Sequence, residues 1–345
     1  MKSNCVSKFL KYIALPTVLL CVFLSSCSSL FKNAEGSTDY NTNNNPDTQG
    51  VQRESENTET LPQDNEVRYA EYSGSEAEGN LSYTTCNGKK ITDFSFLDGL
   101  GRDFFSDTGD KTTGSWFCGK TERDLTTGKV TYIWDRAPET LATLDKYGVI
   151  YRKNADKKIV YFTFDCGYEN GYTAKILDIL KEKDVSAAFF LNGHYVSSSP
   201  ELVRRMIDEG HIVGNHGNNH AVMSKLSLED FFYEVESVNE LMREYVPGAP
   251  YMEYFRPSYG SCSEWDIALI HEMELTNVLY SWTYHDYEPD NQPTPEEALD
   301  AAKRGLHDGS VMMFHTVGET NTKILGEFID YIRAEGYEIG KLSDK

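Results

Sequence analysis

Between residues 155 and 345 the chain repeats one pattern seven times, a short apolar or alternating run followed by a helix with its own start and stop signals. The strand-like runs fall at 159–164, 186–191, 211–214, 252–255, 277–282, 311–314 and 337–342. Ser199-Pro200-Glu201 places a cap and a first-turn proline ahead of Leu202, Val203, Met206 and Ile207, which share one helix face, and Gly210 closes that helix. Ser227 with Asp230, and Ser263 with Asp266, open two more. Thr294-Pro295-Glu296-Glu297 reads as a capping box before Ala298, Leu299 and Ala302. A strand–helix repeat of this kind requires a parallel sheet covered by helices, so the fold class is α/β. Periodicity alone does not choose between a closed barrel and an open, doubly wound sheet.

Either architecture presents ligands at the C-terminal ends of its strands. The residues capable of chemistry fall there: Asp165 and Cys166 after the first run, His194 after the second, and His216 and His220 after the third. Arg256 follows the fourth, His285 and Asp286 the fifth, and His315 the sixth. A solvated surface would scatter such residues, so their shared placement predicts one site.

Each residue type suggests a task. His216 and His220 stand four apart, close enough to share a divalent cation, although an HxxxH pair alone is weak evidence for one. Cys166 has two readings. As a thiolate it would be a third ligand that leaves a zinc position open; as a thiol it would be a small buried hydrophobe that touches no metal. Asp165 is the candidate general base, with Arg256 holding it ionised. Amide cleavage also needs a proton for the departing amine, and His315, supported by Asp286, suits that role.

Four ordered segments carry a resemblance: Thr163-Phe164-Asp165-Cys166-Gly167, His216 to His220, Arg256-Pro257-Ser258-Tyr259-Gly260, and Met313-Phe314-His315. Together they resemble the NodB-homology polysaccharide deacetylases, carbohydrate esterase family 4. The run from Phe164 to Gly171, with Gly193-His194-Tyr195-Val196 and His315-Thr316-Val317, is most similar to the subgroup acting on N-acetylmuramic acid in peptidoglycan. The resemblance implies a distorted (β/α) barrel of about seven strands, and a divalent metal, zinc by expectation, on His216 and His220. It further implies Asp165 as base oriented by Arg256, a backbone amide near Tyr259 in the oxyanion hole, and His315 as acid tuned by Asp286. Two positions depart from the family pattern. Cys166 stands where the family has a metal-binding Asp and the muramic acid subgroup an Asn, and Tyr287 stands where a Trp is usual.

The first half of the chain reads differently. Lys2, Lys8 and Lys11 precede an apolar run from Tyr12 to Leu24, the layout of a secretory signal, and that run is short for the roughly 30 Å of a bilayer core. Leu24-Ser25-Ser26-Cys27 resembles a bacterial lipobox, which implies cleavage before Cys27 and lipidation of it. The expected order is a signal peptide at 1–26, a disordered polar linker at 27–80, an N-terminal extension at 81–150 and the deacetylase domain at 151–345. The protein is then exported and lipid-anchored on the outer face of the bacterial cell membrane. A net charge of −21 excludes nucleic acid as a partner and leaves membrane attachment to the lipid. Cys86 with Cys118 is the candidate disulfide.

The expected function is hydrolytic de-N-acetylation of a cell-wall glycan. The same chemistry on chitin-like or O-acetylated glycan is a second reading. A third, motivated by Cys166, is a glycan-binding lipoprotein without turnover; against it, the candidate base and acid are both present.

Overall fold

The structure, a computed structural model, describes residues 69–103, 119–124, 126, 130–134 and 137–344. The signal segment, Cys27, most of the 27–80 linker and Cys118 lie outside these residues, and Cys86 is a free thiol. Three short strands, β1 (Glu71–Ser73), β2 (Ser82–Thr84) and β3 (Lys90–Ile91), form an antiparallel sheet in that order. The boundary expected at residue 80 is therefore too late. Ala70 is already buried and Tyr72 packs on Phe232 at 6.0 Å, so the polar composition around them conceals a small packed sheet. A hairpin, β4 (Gly119–Arg123) with β5 (Val130–Trp134), and helix α1 (Pro138–Lys146) follow.

The seven expected runs form one sheet. Its elements are β6 (Ile159–Cys166), α2 (Thr173–Glu182), β7 (Ala188–Leu191), α3 (Gly193–Ser198), α4 (Pro200–Asp208), β8 (Ile212–Asn215), α5 (Leu228–Tyr245), β9 (Tyr254–Phe255), α6 (Glu264–Glu272), β10 (Thr276–Asn277), α7 (Pro295–Gly305), β11 (Ser310–His315), α8 (Glu319–Ala334) and β12 (Glu338–Gly340). Strand order is β10-β9-β8-β7-β6-β11, and β12 pairs with the first half of β6. Neighbours run parallel throughout. The run expected at 277–282 is broken rather than continuous: after β10 it bridges Ile150 through Val278, then β11 through the Trp282–Met312 bridge. That last bridge joins the two ends of the sheet, so the architecture is a distorted barrel.

Residue alternation along the strands separates two cores. Val160, Phe162, Phe164 and Cys166 face the helices, with Phe189, Leu191, Met312 and Phe314. Tyr161, Ala188, Phe190, Val311 and Met313 belong to the other face, inside the barrel. Strands covered on both faces are buried without a gap, as β6 is from Val160 to Cys166, its apolar run broken only by Thr163 and Asp165. A third cluster lies under the N-terminal sheet, where Tyr83 stacks on Phe232 of α5 at 4.8 Å among Leu81, Ile91, Phe231 and Leu269. The 81–91 stretch thus covers the outside of α5 and α6.

The caps at Ser227, Ser263 and Thr294 form as expected, the last two as full capping boxes. Ser199 is different. It occupies the cap position of α4 without a side-chain hydrogen bond to the helix, and its backbone N–H donates instead to Tyr195 at the end of α3. Two helices abutting at Ser199 satisfy the junction through the backbone. Among the described residues no helix is long and apolar enough to cross a membrane.

Candidate active site

Asp165 ends the inward face of β6, and its register partner on the neighbouring strand β11 is His315. Parallel pairing therefore sets a carboxylate and an imidazole side by side at the barrel mouth. Asp165 is 6% exposed. Its Oδ1 accepts a 2.7 Å hydrogen bond from Nη1 of Arg256, and its Oδ2 lies 3.6 Å from Nε2 of His216. Burial alone would raise the Asp165 carboxyl, but Arg256, then His216 and His315, outweigh it and hold it below the usual carboxylate range.

Arg256 follows β9 and is fully buried. Nη1 also donates to Thr163 Oγ1 at 2.9 Å, Nε to the carbonyl of Val278 and Nη2 to that of Leu279, both at 3.0 Å. Its guanidinium lies 4.1 Å over the Phe190 ring. With its donors fixed by backbone and its face by an aromatic ring, the cation has one orientation, which directs Nη1 at Asp165.

His315 is paired with Asp286, a fully buried residue in the segment after Trp282. Nδ1 of His315 donates to Asp286 Oδ1 at 2.7 Å, and the backbone N–H of His315 donates to Oδ2 at 2.8 Å. Asn321, on the first turn of α8, donates to the same Oδ2 at 2.8 Å and to the His315 carbonyl at 2.9 Å. Burial pulls the imidazole pKa down, yet Asp286, with Asp165 beyond it, prevails and raises it. The shift is toward the protonated form, the direction a proton donor requires.

His216 and His220 lie on the loop after β8, their rings 4.9 Å apart edge to face. Nδ1 of His216 bonds the Arg256 carbonyl at 2.9 Å, which leaves Nε2 as the free nitrogen beside Asp165. Burial lowers the pKa of both, and His220, with His216 beside it, is brought down to about 4. Two neutral imidazoles, one locked by a carbonyl at its far nitrogen, suit a divalent cation.

Cys166 is not part of that set. It lies on the helix side of β6, fully buried, and its Sγ accepts a 3.5 Å hydrogen bond from Thr316. Of its two readings, the structure supports the buried thiol, and burial pushes its pKa up. The physical reason is strand parity: with Asp165 inward, the next residue points outward. Among the described residues no three His, Cys, Asp or Glu side chains gather as a metal set. His216 and His220 are the candidate cation ligands, with the Asp165 carboxylate 3.6 Å from His216 Nε2.

Tyr259 sits on the turn after Arg256 in the left-handed region, φ 60° and ψ 11°, unusual for an aromatic residue. Its ring is 57% exposed and meets His220 edge to face at 4.4 Å. Tyr287, 53% exposed, meets His315 similarly at 5.8 Å. Two exposed aromatics thus flank the candidate metal and acid positions. His194 is exposed on α3, and His285, also exposed, pairs with Glu288 at 3.3 Å and packs its ring on Tyr287 at 4.5 Å.

Two buried supports lie outside the motifs, Asn321 and Glu234, and Thr163 lies inside one without an expected role. Glu234 is 2% exposed on α5, and its carboxylate accepts N–H groups of the loop that carries the histidines. The only signal for it is an acidic residue on the apolar stripe of Phe231, Val235 and Val238.

A family model described as polysaccharide deacetylase matches residues 152–278. An uncharacterised protein of Geobacillus stearothermophilus is 39% identical over 210 residues, 61% of this chain and 79% of that protein. Peptidoglycan-N-acetylmuramic acid deacetylase PdaA of Bacillus subtilis is 34% identical over 210 residues, 61% of this chain and 80% of that one. The solved structure of PdaA, titled a family 4 carbohydrate esterase, matches with TM-score 0.61 and 31% identity over 67% of this chain and 95% of that chain. A family 4 pseudoenzyme of Bacillus anthracis matches with TM-score 0.52 and 26% identity, over 56% of this chain and 67% of its own.

Proposed function

The chain belongs to the polysaccharide deacetylases of carbohydrate esterase family 4, and on that premise we propose that it hydrolyses N-acetyl groups from cell-wall peptidoglycan, at N-acetylmuramic acid. The observation that carries this reading is the pairing, on adjacent strands, of a buried Asp165 held below the usual carboxylate range by Arg256 with a His315 whose imidazole pKa Asp286 raises. Two titratable groups whose surroundings push them toward opposite charge are the arrangement of a base with an acid.

In this mechanism Asp165 accepts a proton from the attacking water as its oxygen bonds the acetyl carbon. The backbone N–H of Tyr259 donates to the oxyanion that forms, a stabilisation of about 3 kcal/mol for one such donor in other acyl-transfer sites. His315 then donates its proton to the nitrogen as the C–N bond breaks, and acetate and a free glycan amine leave. Arg256 keeps Asp165 ionised between turnovers, and Asp286 keeps His315 charged and aimed. His216 and His220 would hold a divalent cation, proposed as zinc, which supplies Lewis-acid activation of water and carbonyl when bound.

Muramic acid as the sugar rests on the similarity to PdaA. Export and lipidation at Cys27 would bring the domain to its polymer, and mass spectrometry of the mature N-terminus tests that part. The substrate test is acetate release from peptidoglycan fragments, chitin oligomers and acetylated xylan. Preferential release from muramic-acid-containing fragments supports the proposal, and preference for either other polymer refutes the assignment. A binding protein without turnover is the second reading, motivated by Cys166, which stands where the family has a metal-binding Asp and packs on the helix side of β6.

A further inference from the structure

The loop carrying His216 and His220 has almost no internal structure of its own. Two of its residues, Gly217 at φ 76° and His220 at φ 56°, are in the left-handed region, and a loop of this shape points successive N–H groups into one concavity. A side chain fills that concavity. Glu234 Oε1 accepts the N–H of Asn219 at 2.8 Å and of Ala221 at 3.0 Å, Oε2 accepts Nδ2 of Asn219 at 3.0 Å, and the Glu234 carbonyl accepts the N–H of Asn218 at 2.9 Å.

A carboxylate 2% exposed is costly to bury unless hydrogen bonds compensate it. Here the compensating donors come from Asn219, between the two histidines, and from Ala221, directly after the second. Gly217 completes the arrangement: a Cβ there would meet Glu234 Oε1 at 2.8 Å, on a backbone that L side chains rarely adopt. Gly217 N–H to Asn215 Oδ1 at 2.8 Å and Gly193 N–H to the Gly217 carbonyl at 3.3 Å fix the start of the loop, while the Arg256 carbonyl holds the His216 ring and Tyr259 packs on that of His220.

We propose that Glu234 is a positioning residue that sets the spacing and orientation of His216 and His220, and that position 217 is held to glycine so that this carboxylate can dock. The functional consequence rests on the reading of the two histidines as cation ligands; the clamp itself does not. The Arg256 carbonyl fixes the His216 ring, and the clamp fixes the loop that brings His220 beside it.

The experiment is calorimetric titration of the metal-free protein with zinc, alongside thermal unfolding, for wild type, Glu234→Ala, Glu234→Gln and Gly217→Ala. Expected is a loss of zinc affinity of about 10–100-fold in Glu234→Ala, the usual range for groups that orient ligands, with Glu234→Gln between it and wild type. Gly217→Ala keeps the carboxylate but displaces it, so it weakens zinc binding too. Folded variants with wild-type affinity overturn the proposal. Should wild type take up no zinc, the metal reading fails by itself and amide hydrogen exchange decides the clamp. Faster exchange at Asn219 and Ala221 in Glu234→Gln supports it, and unchanged exchange refutes it.

Discussion

Asp286 holds His315 at two points, accepting one hydrogen bond from ring Nδ1 at 2.7 Å and another from the backbone N–H at 2.8 Å. Position, tautomer and charge of the imidazole are thereby set by one carboxylate, which Asn321 holds in turn.

Replacing Asp286 by Asn removes the charge and keeps the shape. The raised His315 pKa then falls, so the acid form is lost at lower pH. The expected outcome is a drop in kcat of about 10²–10⁴-fold, the usual worth of acid–base catalysis, with the alkaline limb of the pH–rate profile displaced downward. Because the folded pKa of His315 lies above its unfolded value near 6.5, its contribution to stability is complete below that value and fades as pH rises through the folded pKa. Asp286→Asn should therefore destabilise most in acidic buffer, as thermal unfolding against pH would read.

Arg256→Lys tests the other end of the site. Lysine cannot reproduce donations to Asp165, Thr163 and the carbonyls of Val278 and Leu279 together. Asp165 should then titrate higher, so the acidic limb of the profile moves up. In wild type the depressed Asp165 pKa contributes stability above its unfolded value and loses it as pH falls through the folded pKa. Urea unfolding at neutral and acidic pH should show a smaller acid loss in the variant.

Cys166 gives a prediction of opposite kind. Since its side chain packs against the helices, Cys166→Ala should keep wild-type zinc content and lose about 1 kcal/mol or so of stability. Cys166→Asp should lose several kcal/mol, roughly, from burying a carboxylate without a cation. Metal analysis and thermal unfolding of both variants check this, and zinc loss in Cys166→Ala would contradict it.

The N-terminal sheet carries a fourth. Glu236 on α5 is 3% exposed and accepts the hydroxyls of Tyr83 at 2.7 Å and Tyr251 at 3.0 Å. Burial raises its pKa, although Tyr83 and Tyr251 oppose the rise. A carboxyl raised in the folded state costs stability as pH climbs from its unfolded toward its folded pKa. Glu236→Gln should remove that cost and narrow the gap in Tm between acidic and mildly alkaline buffer. Tyr83→Phe should lower Tm by an amount equivalent to about 1–3 kcal/mol.

The barrel strands were legible because buried parallel strands are apolar on both faces, as in β6 and β11. Asp165, Arg256 and His315 were legible because each stands at the end of such a run, and Asp286 because it follows one within four residues. Other features were hidden for physical reasons. With apolar residues on both faces of β6, nothing local reveals which face is inward, so Cys166 retained two readings until its place among Phe164, Leu191 and Tyr195 was known. Closure depends on the single Trp282–Met312 bridge beyond a two-residue strand. Glu234 looks like any helix carboxylate, and the three-residue strand at Glu71–Ser73 is too short to show a period in a polar stretch.

The central claim is that Asp165 and His315 act together as base and acid on an N-acetyl group. Acetate release from muramic-acid-containing peptidoglycan fragments, followed for wild type, Asp165→Asn and His315→Ala, tests it most directly. The account predicts sustained release by wild type and a loss of at least about 10²-fold in each variant, with thermal unfolding showing both folded. Wild-type rates in Asp165→Asn, or no release by wild type on any acetylated glycan, would contradict it.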